Sequence, residues 1–177
     1  MSKLNIDQKT VKELFSAKKT KFLIPDYQRP YAWGEDECQT LWEDLFNFSF
    51  PENNCDNFDS ESDEYFLGPI VTFKNNKGDM EIIDGQQRLT TLMLLLRAFY
   101  DKFKNMKDDK SEKTREQIEA CIWKTDEFGY VNTEELKINS EVATDKDKDE
   151  FLEILRTGDV TKGKSSYAKN YKFFQDK

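Results

Sequence analysis

The chain predicts a mixed α+β domain, a small sheet packed with helices. Three features point to it. Short apolar runs at residues 22–24, 65–73 and 80–83 read as strands, the last two joined by a hairpin turn at 75–79. Residues 80–83 lead through one tight turn at Gly85 into a long apolar helix. Beyond residue 115 the apolar spacing is mostly helical.

A length of 177 residues suits one ordinary domain, or one domain with a helical extension. With 37% hydrophobic and 14% aromatic residues a core can form, and fourteen Phe imply that rings fill much of it. The net charge of −8 excludes a broad nucleic-acid-coating surface but leaves room for a local basic patch. The absence of His excludes His-based triads, His-metal nuclease sites and imidazole bases. Catalysis then falls to carboxylates, amides, Arg, Lys, Tyr or a bound metal. Cys38, Cys55 and Cys121 are odd in number and widely spaced, with neither a metal-binding nor a disulfide pattern. They read as thiols of a reducing cytosol, which makes a cytoplasmic protein the expectation. No apolar leader or run of 18 apolar residues is present, so neither a signal peptide nor a membrane span is expected.

Taken in order, Asp7 is placed to cap a short helix with Val11, Leu14 and Phe15 inward, and Ile6 to staple onto Val11. Lys18, Lys19, Thr20 and Lys21 form a basic connector, and Pro25 stops the strand at 22–24. Over residues 34–46, Cys38, Leu41, Trp42, Leu45 and Phe46 recur at helical spacing. Glu35, Asp36 and Glu37 give that helix the acidic first turn its dipole prefers, although three carboxylates together could hold a metal. Residues 51–63 are rich in Asn, Asp and Ser and form an exposed loop. The Gly68-Pro69 break within 65–73 predicts a bulge or an edge strand, and a place where a ligand could approach the backbone. The helix after Gly85 carries Leu89, Leu92, Met93, Leu94, Leu95, Leu96, Phe99 and Phe103, apolar around most of its circumference, and is expected to be the central buried one. Residues 104–115 read as a charged linker or frayed helix end. A helix follows at 116–124, then a weak strand pair at 130–131 and 136–138, then a helix at 145–156 closed by Gly158. Ser165 or Ser166 caps a last helix holding Tyr167, Tyr171, Phe173 and Phe174. Its apolar pattern is still running at Lys177, so the chain is expected to be part of something longer. The expected division is a core over residues 1–105 and a mostly helical extension over 106–177.

The chemistry concentrates where strand meets helix. Asp84, Gln86, Gln87 and Arg88 gather around Gly85. First-turn N–H groups lack intrahelical partners, and with the positive end of the dipole they suit a phosphate or another anion. Arg88 stands out, because a cation in the first turn opposes the dipole by ~0.3–1 kcal/mol. Either it binds a ligand, or it forms an i,i+4 ion pair with Asp84, itself the N-cap. A second polar segment, Asp26-Tyr-Gln-Arg-Pro-Tyr-Ala-Trp33, is kept extended by Pro25 and Pro30. Tyr31 and Trp33 read as packing rings, whereas packing has no use for Gln28 and Arg29. Gly158-Asp-Val-Thr-Lys-Gly163-Lys164-Ser165 matches the spacing of a phosphate-binding loop. That loop must follow a buried parallel strand, and here it follows an amphipathic helix, so it is set aside.

The motifs Ile24-Pro-Asp-Tyr-Gln-Arg-Pro-Tyr-Ala-Trp33 and Ile83-Asp-Gly-Gln-Gln-Arg-Leu-Thr-Thr-Leu92 together resemble the N-terminal domain of GmrSD-type restriction endonucleases. These are modification-dependent enzymes that defend bacteria against phage DNA. The order of the two motifs, with Tyr65-Phe-Leu-Gly68 between them, makes the resemblance specific over roughly residues 20–105. Asn170-Tyr-Lys-Phe-Phe174 extends it more faintly. The resemblance implies a ParB/sulfiredoxin-like fold and a nucleoside triphosphate bound at the 84–88 turn, its hydrolysis linked to DNA cleavage. It also implies a C-terminal nuclease domain with a His-Asn-His-type site. A chain without His does not contain that site, so DNA is expected as a partner of the full-length protein or its nuclease domain.

On this combined reading the amides of Gly85, Gln86 and Gln87 and the Arg88 guanidinium hold the phosphates. Arg29 counters charge developing in transfer. Gln87 or Gln86 orients the attacking water, Asp84 holds Mg2+ directly or through water, and Tyr27 and Gln28 contact base or sugar. Asp84, Gln87 and Arg88 are thus the catalytic candidates. Tyr27, Gln28, Arg29, Gly85 and Gln86 are the binding candidates. Three functions compete: a triphosphate-hydrolysing regulatory domain of an anti-phage restriction system, a module that senses nucleotide or modified DNA without turnover, and an interaction domain in which Asp84 and Arg88 form a structural pair. The nucleotide, the DNA modification and homodimer formation are left open.

Overall fold

A computed structural model describes residues 5–16, 20–59, 62–160 and 163–177. Helices α1 (Val11–Ser16), α2 (Glu35–Ser49), α3 (Gln86–Phe103), α4 (Asp109–Ile122), α5 (Lys148–Thr157) and α6 (Ser166–Gln175) surround a small mixed sheet. The strands are β1 (Phe22–Ile24), β2 (Val71–Lys74), β3 (Met80–Asp84), β4 (Trp123–Thr125), β5 (Val131–Leu136) and β6 (Ile138–Ser140). The main sheet has the order β2-β3-β1-β6. β1 is buried along its whole length because it lies between parallel neighbours, with Phe22 opposite both Met80 of β3 and Ile138 of β6. β2 and β3 form the expected antiparallel hairpin, and Asn75 Oδ1 holds its turn by accepting from the N–H groups of Lys77 and Asp79.

α3 is the central helix, as its all-round apolar character predicts, with Leu89, Met93, Leu94 and Ala98 fully buried. Gln86, Gln87, Thr90, Thr91 and Arg97 are buried on it as well. Arg97 is tolerated there because its Nε donates to Ile154 O at 3.1 Å, a second nitrogen pairs with Asp101 at 3.1 Å, and its plane lies over Tyr100 and Trp123.

Several expectations change. Ile6 is exposed and staples nothing; Thr10 caps α1 in place of Asp7, its Oγ1 accepting from Glu13 N–H while Glu13 Oε2 accepts from Thr10 N–H. The acids of α2 serve the helix: Glu37 accepts from Gly34 N–H at 2.8 Å. Residues 65–70 lie outside the strand, which begins at Val71 as an edge strand with an irregularity between Val71 and Thr72. α4 starts at Asp109, well inside the stretch read as a linker, because Asp108 caps it by accepting from Ser111 N–H at 3.0 Å. The weak strands do not pair with each other: β5 pairs with β4, whereas Ile138 lies in β6 beside β1. Asp145 precedes α5 and is buried, accepting from Tyr167 Oη at 2.6 Å. Ser165, not Ser166, caps α6. The division at residue 105 runs through one structure, since β6 completes the main sheet and one apolar core runs from Phe15 to Phe174. The expectations for Lys18, Lys19, Ser60 and Glu61 lie outside the described residues.

Candidate functional site

The polar motifs meet at the carboxyl ends of two neighbouring parallel strands, where open α/β sheets bind ligands. β1 ends at Ile24 and runs into the strap of residues 26–33; β3 ends at Asp84 and turns into α3. The turn needs Gly85 twice over. Its φ of +91° is left-handed, and a Cβ there would stand 3.1 Å from Ile70 Cγ1 and 3.2 Å from Pro69 O. Gly85 is also the N-cap, so no side chain caps α3 and Asp84 does not take the capping place expected of it. No side chain caps the first-turn amides of α3 among the described residues.

Asp84 and Arg88 form no ion pair. Instead Arg88 Nη1 donates to Pro69 O at 2.7 Å, and its guanidinium lies on Gly68, where a Cβ would stand 2.9 Å from Cζ. The Gly68-Pro69 break therefore makes room for Arg88. Only one of the five Arg88 donors is used this way.

Three glutamines fasten the strap to the sheet and helix. Gln28 Nε2 donates to Ile82 O at 3.2 Å and Ile83 O at 3.1 Å, extending the ladder past the end of β1. Gln86 Nε2 donates to Arg29 O at 2.8 Å. Gln87 Nε2 donates to Pro30 O at 3.2 Å, and its Oε1 accepts from Ala32 N–H at 2.7 Å and Trp33 N–H at 3.3 Å. Both lone pairs of Gln87 Oε1 are thereby occupied. In this structure Gln87 is a brace, with no acceptor left to orient a water. Gln86 Oε1 has no partner among the described residues.

Gln28, Arg29, Trp33, Asp84, Gly85, Gln86, Gln87 and Arg88 line a cleft of about 220 Å³. Seven of the eight sequence candidates are among them; Tyr27 is exposed beside the cleft. Trp33 packs against the core, as read from sequence, and it also lines the cleft. Tyr31 packs too: it is buried and stacked on Tyr167, ring centroids 4.7 Å apart. In a chain of net charge −8 the cleft gathers two arginines and one carboxylate, a locally positive balance. The Arg29 side chain is exposed and makes no hydrogen bond or ion pair among the described residues.

No three His, Cys, Asp or Glu side chains among the described residues are grouped to hold a metal ion. The loop with phosphate-binding spacing joins α5 to α6, Gly158 closing one and Ser165 capping the other. Gly163 N–H is given to Glu150 at 3.1 Å, and Thr161 and Lys162 lie outside the described residues. Among the described residues no helix is long and apolar enough to cross a membrane.

No curated protein matches this sequence. The family model described as "GmrSD restriction endonuclease, N-terminal domain" matches residues 11–177, a span that includes the strap, the Gly85 corner and α6. The chain belongs to the family of N-terminal domains of GmrSD restriction endonucleases.

Proposed function

We propose that this domain binds a nucleoside triphosphate in the cleft and hydrolyses it, as the regulatory step of modification-dependent restriction in phage defence. One observation carries the reading: Arg29 and Arg88, from distant parts of the chain, line the same cleft as the uncapped first turn of α3. A cleft of about 220 Å³ lies below the ~300–1,000 Å³ of sites that enclose a drug-sized ligand. It fits the phosphates and leaves the base at the open side, near Trp33 and Tyr27.

The first-turn amides and Arg88 hold the phosphates. Arg88 is fixed through Pro69 O, so little side-chain freedom is lost when it engages. Arg29 reaches in from the braced strap and balances charge on the transferred group. Gln86 takes the water-orienting role through its Oε1. Among the described residues Asp84 is the single carboxylate lining the cleft, and it would hold a magnesium ion that arrives with the triphosphate rather than one caged by protein. The ion supplies charge neutralisation of those phosphates when bound. DNA, on this reading, engages the full restriction enzyme, since a domain of charge −8 is poorly suited to coat it.

The occupied Gln87 amide and the lone carboxylate also favour a second reading, in which the domain senses a nucleotide without turning it over. Phosphate release separates the two. Hydrolysis predicts release from a triphosphate with magnesium, reduced more than about tenfold in Asp84→Ala and Arg88→Ala. Calorimetric binding with no release supports the sensor. Unchanged release in both folded variants removes these two residues from the reaction.

A further inference from the structure

The strap is also held from α6, by hydrogen bonds of Asn170 to Tyr31 and Trp33. Thr91 Oγ1 donates to Gln87 O at 2.9 Å, so toward Tyr31 Oη, 2.7 Å away, it can only accept. Tyr31 is then the donor to Thr91, and its oxygen accepts from Asn170 Nδ2 at 2.9 Å. The same nitrogen donates to Trp33 O, also at 2.9 Å. Trp33 N–H returns to Gln87 Oε1. Asn170, Tyr31, Thr91, Gln87 and Trp33 thus form a closed circuit that joins α6, the strap and the first turn of α3. Asn170 is 1% exposed and Thr91 0%, so water does not replace these bonds.

Packing alone does not ask for an amide here. Asn170 lies between buried Ala168 and Tyr171 on a helix face where an apolar side chain would carry no desolvation cost. What Asn supplies is two N–H donors on one short side chain, and both are used. We propose that Asn170 is a positioning residue of the cleft. It sets Trp33 and Gln87, and through them the first turn of α3, so that ligand affinity depends on the two hydrogen bonds that Asn170 donates. The affinity part rests on the triphosphate reading above; the positioning part does not.

Two measurements on the full chain test it, backbone hydrogen exchange and titration with the four ribonucleoside triphosphates and magnesium. Asn170→Asp keeps the shape and removes both donors. Phe174→Leu loosens the same helix outside the circuit. The expected result for Asn170→Asp is exchange at the Ala32 and Trp33 amides faster by about tenfold relative to the amides of β1, and triphosphate affinity weaker by a similar factor. Phe174→Leu should lower the melting temperature and leave the exchange ratio and the affinity as they were. A normal exchange ratio in Asn170→Asp, or the same rise in both variants, overturns the proposal. If Asn170→Asp does not fold, Asn170→Leu decides: it fills the same space and donates to neither Tyr31 nor Trp33, so a raised ratio supports the positioning role and an unchanged one overturns it. If the unmodified chain binds no triphosphate, the proposed function falls, and the exchange ratio still decides whether Asn170 positions the strap.

Discussion

Gly85 shows how much of the site depends on single residues. Any other residue there must adopt a left-handed φ and push a Cβ against Ile70 and Pro69 O. Gly85→Ala is expected to lower stability by about 1–3 kcal/mol and to weaken triphosphate binding, which urea unfolding and calorimetry would show. Native stability in the variant would mean that the corner relaxes freely. Arg88 is less clean as a probe, because its removal also releases Pro69 O. Arg29 is the better one: its side chain carries no internal bond among the described residues, so loss of binding in Arg29→Ala cannot be blamed on the fold. At this scale the sequence was informative where a residue type had one plain reading, as with Gly85 at a tight turn and with Arg29, for which packing had no use. It was less so for the glutamines. A carboxamide that braces a loop and one that orients a water look alike until its partners are known, and Gln87 proved to have all its acceptor capacity engaged by the strap. The cleft-lining role of Trp33 was hidden for a similar reason, since an aromatic ring read as packing can also wall a cleft.

Among the elements, local signals were legible and distant ones were not. β1, stopped by Pro25, and α3, apolar all round, follow directly from the residues. The first half of α4 was missed because its N-cap, Asp108, opens a polar, charged stretch with no apolar residue until Ile118. β6 was assigned to the wrong partner because pairing with β1 spans more than a hundred residues, and no local pattern records that. α6 is the element on which the two halves of the chain depend. Ser165→Ala removes its cap and is expected to cost about 1 kcal/mol, measured as a lowered urea midpoint without a change in slope. A normal midpoint would show that packing of Tyr167, Tyr171 and Phe174 holds the helix without the cap.

Across the molecule, the rings and thiols of the core make stability sensitive to alkali. Burial pushes the Cys38 thiol up from 9.0 to about 12, and burial is also the main cause that raises the Tyr31, Tyr167 and Tyr171 hydroxyls above 10.0. Their neighbours Asp145 and Asp101 add to it for Tyr167 and Tyr171. The folded chain therefore keeps protons that the unfolded chain releases. The sign follows: this stability is fully present below pH 9 and is lost as pH rises from there through about 12. Lys137, lowered by burial, works in the opposite sense, but it is one group against several. Urea midpoints should be flat from neutral pH to pH 9 and fall beyond it; a midpoint that holds to pH 11 would mean that these groups ionise without unfolding. The single core also explains why no domain boundary appears near residue 105. The charged stretch at residues 104–115 marks that place in the sequence, yet the main sheet is completed only at β6.

The proposed function turns on whether two arginines hold a polyanion against the first turn of α3. Calorimetric titration of the unmodified chain and Arg29→Ala with the four ribonucleoside triphosphates, each with magnesium, measures this directly. At least one triphosphate should bind the unmodified chain, and Arg29→Ala should bind it about tenfold or more weakly while melting at the same temperature without ligand. Equal affinity in the two proteins, or no binding by either, would contradict it.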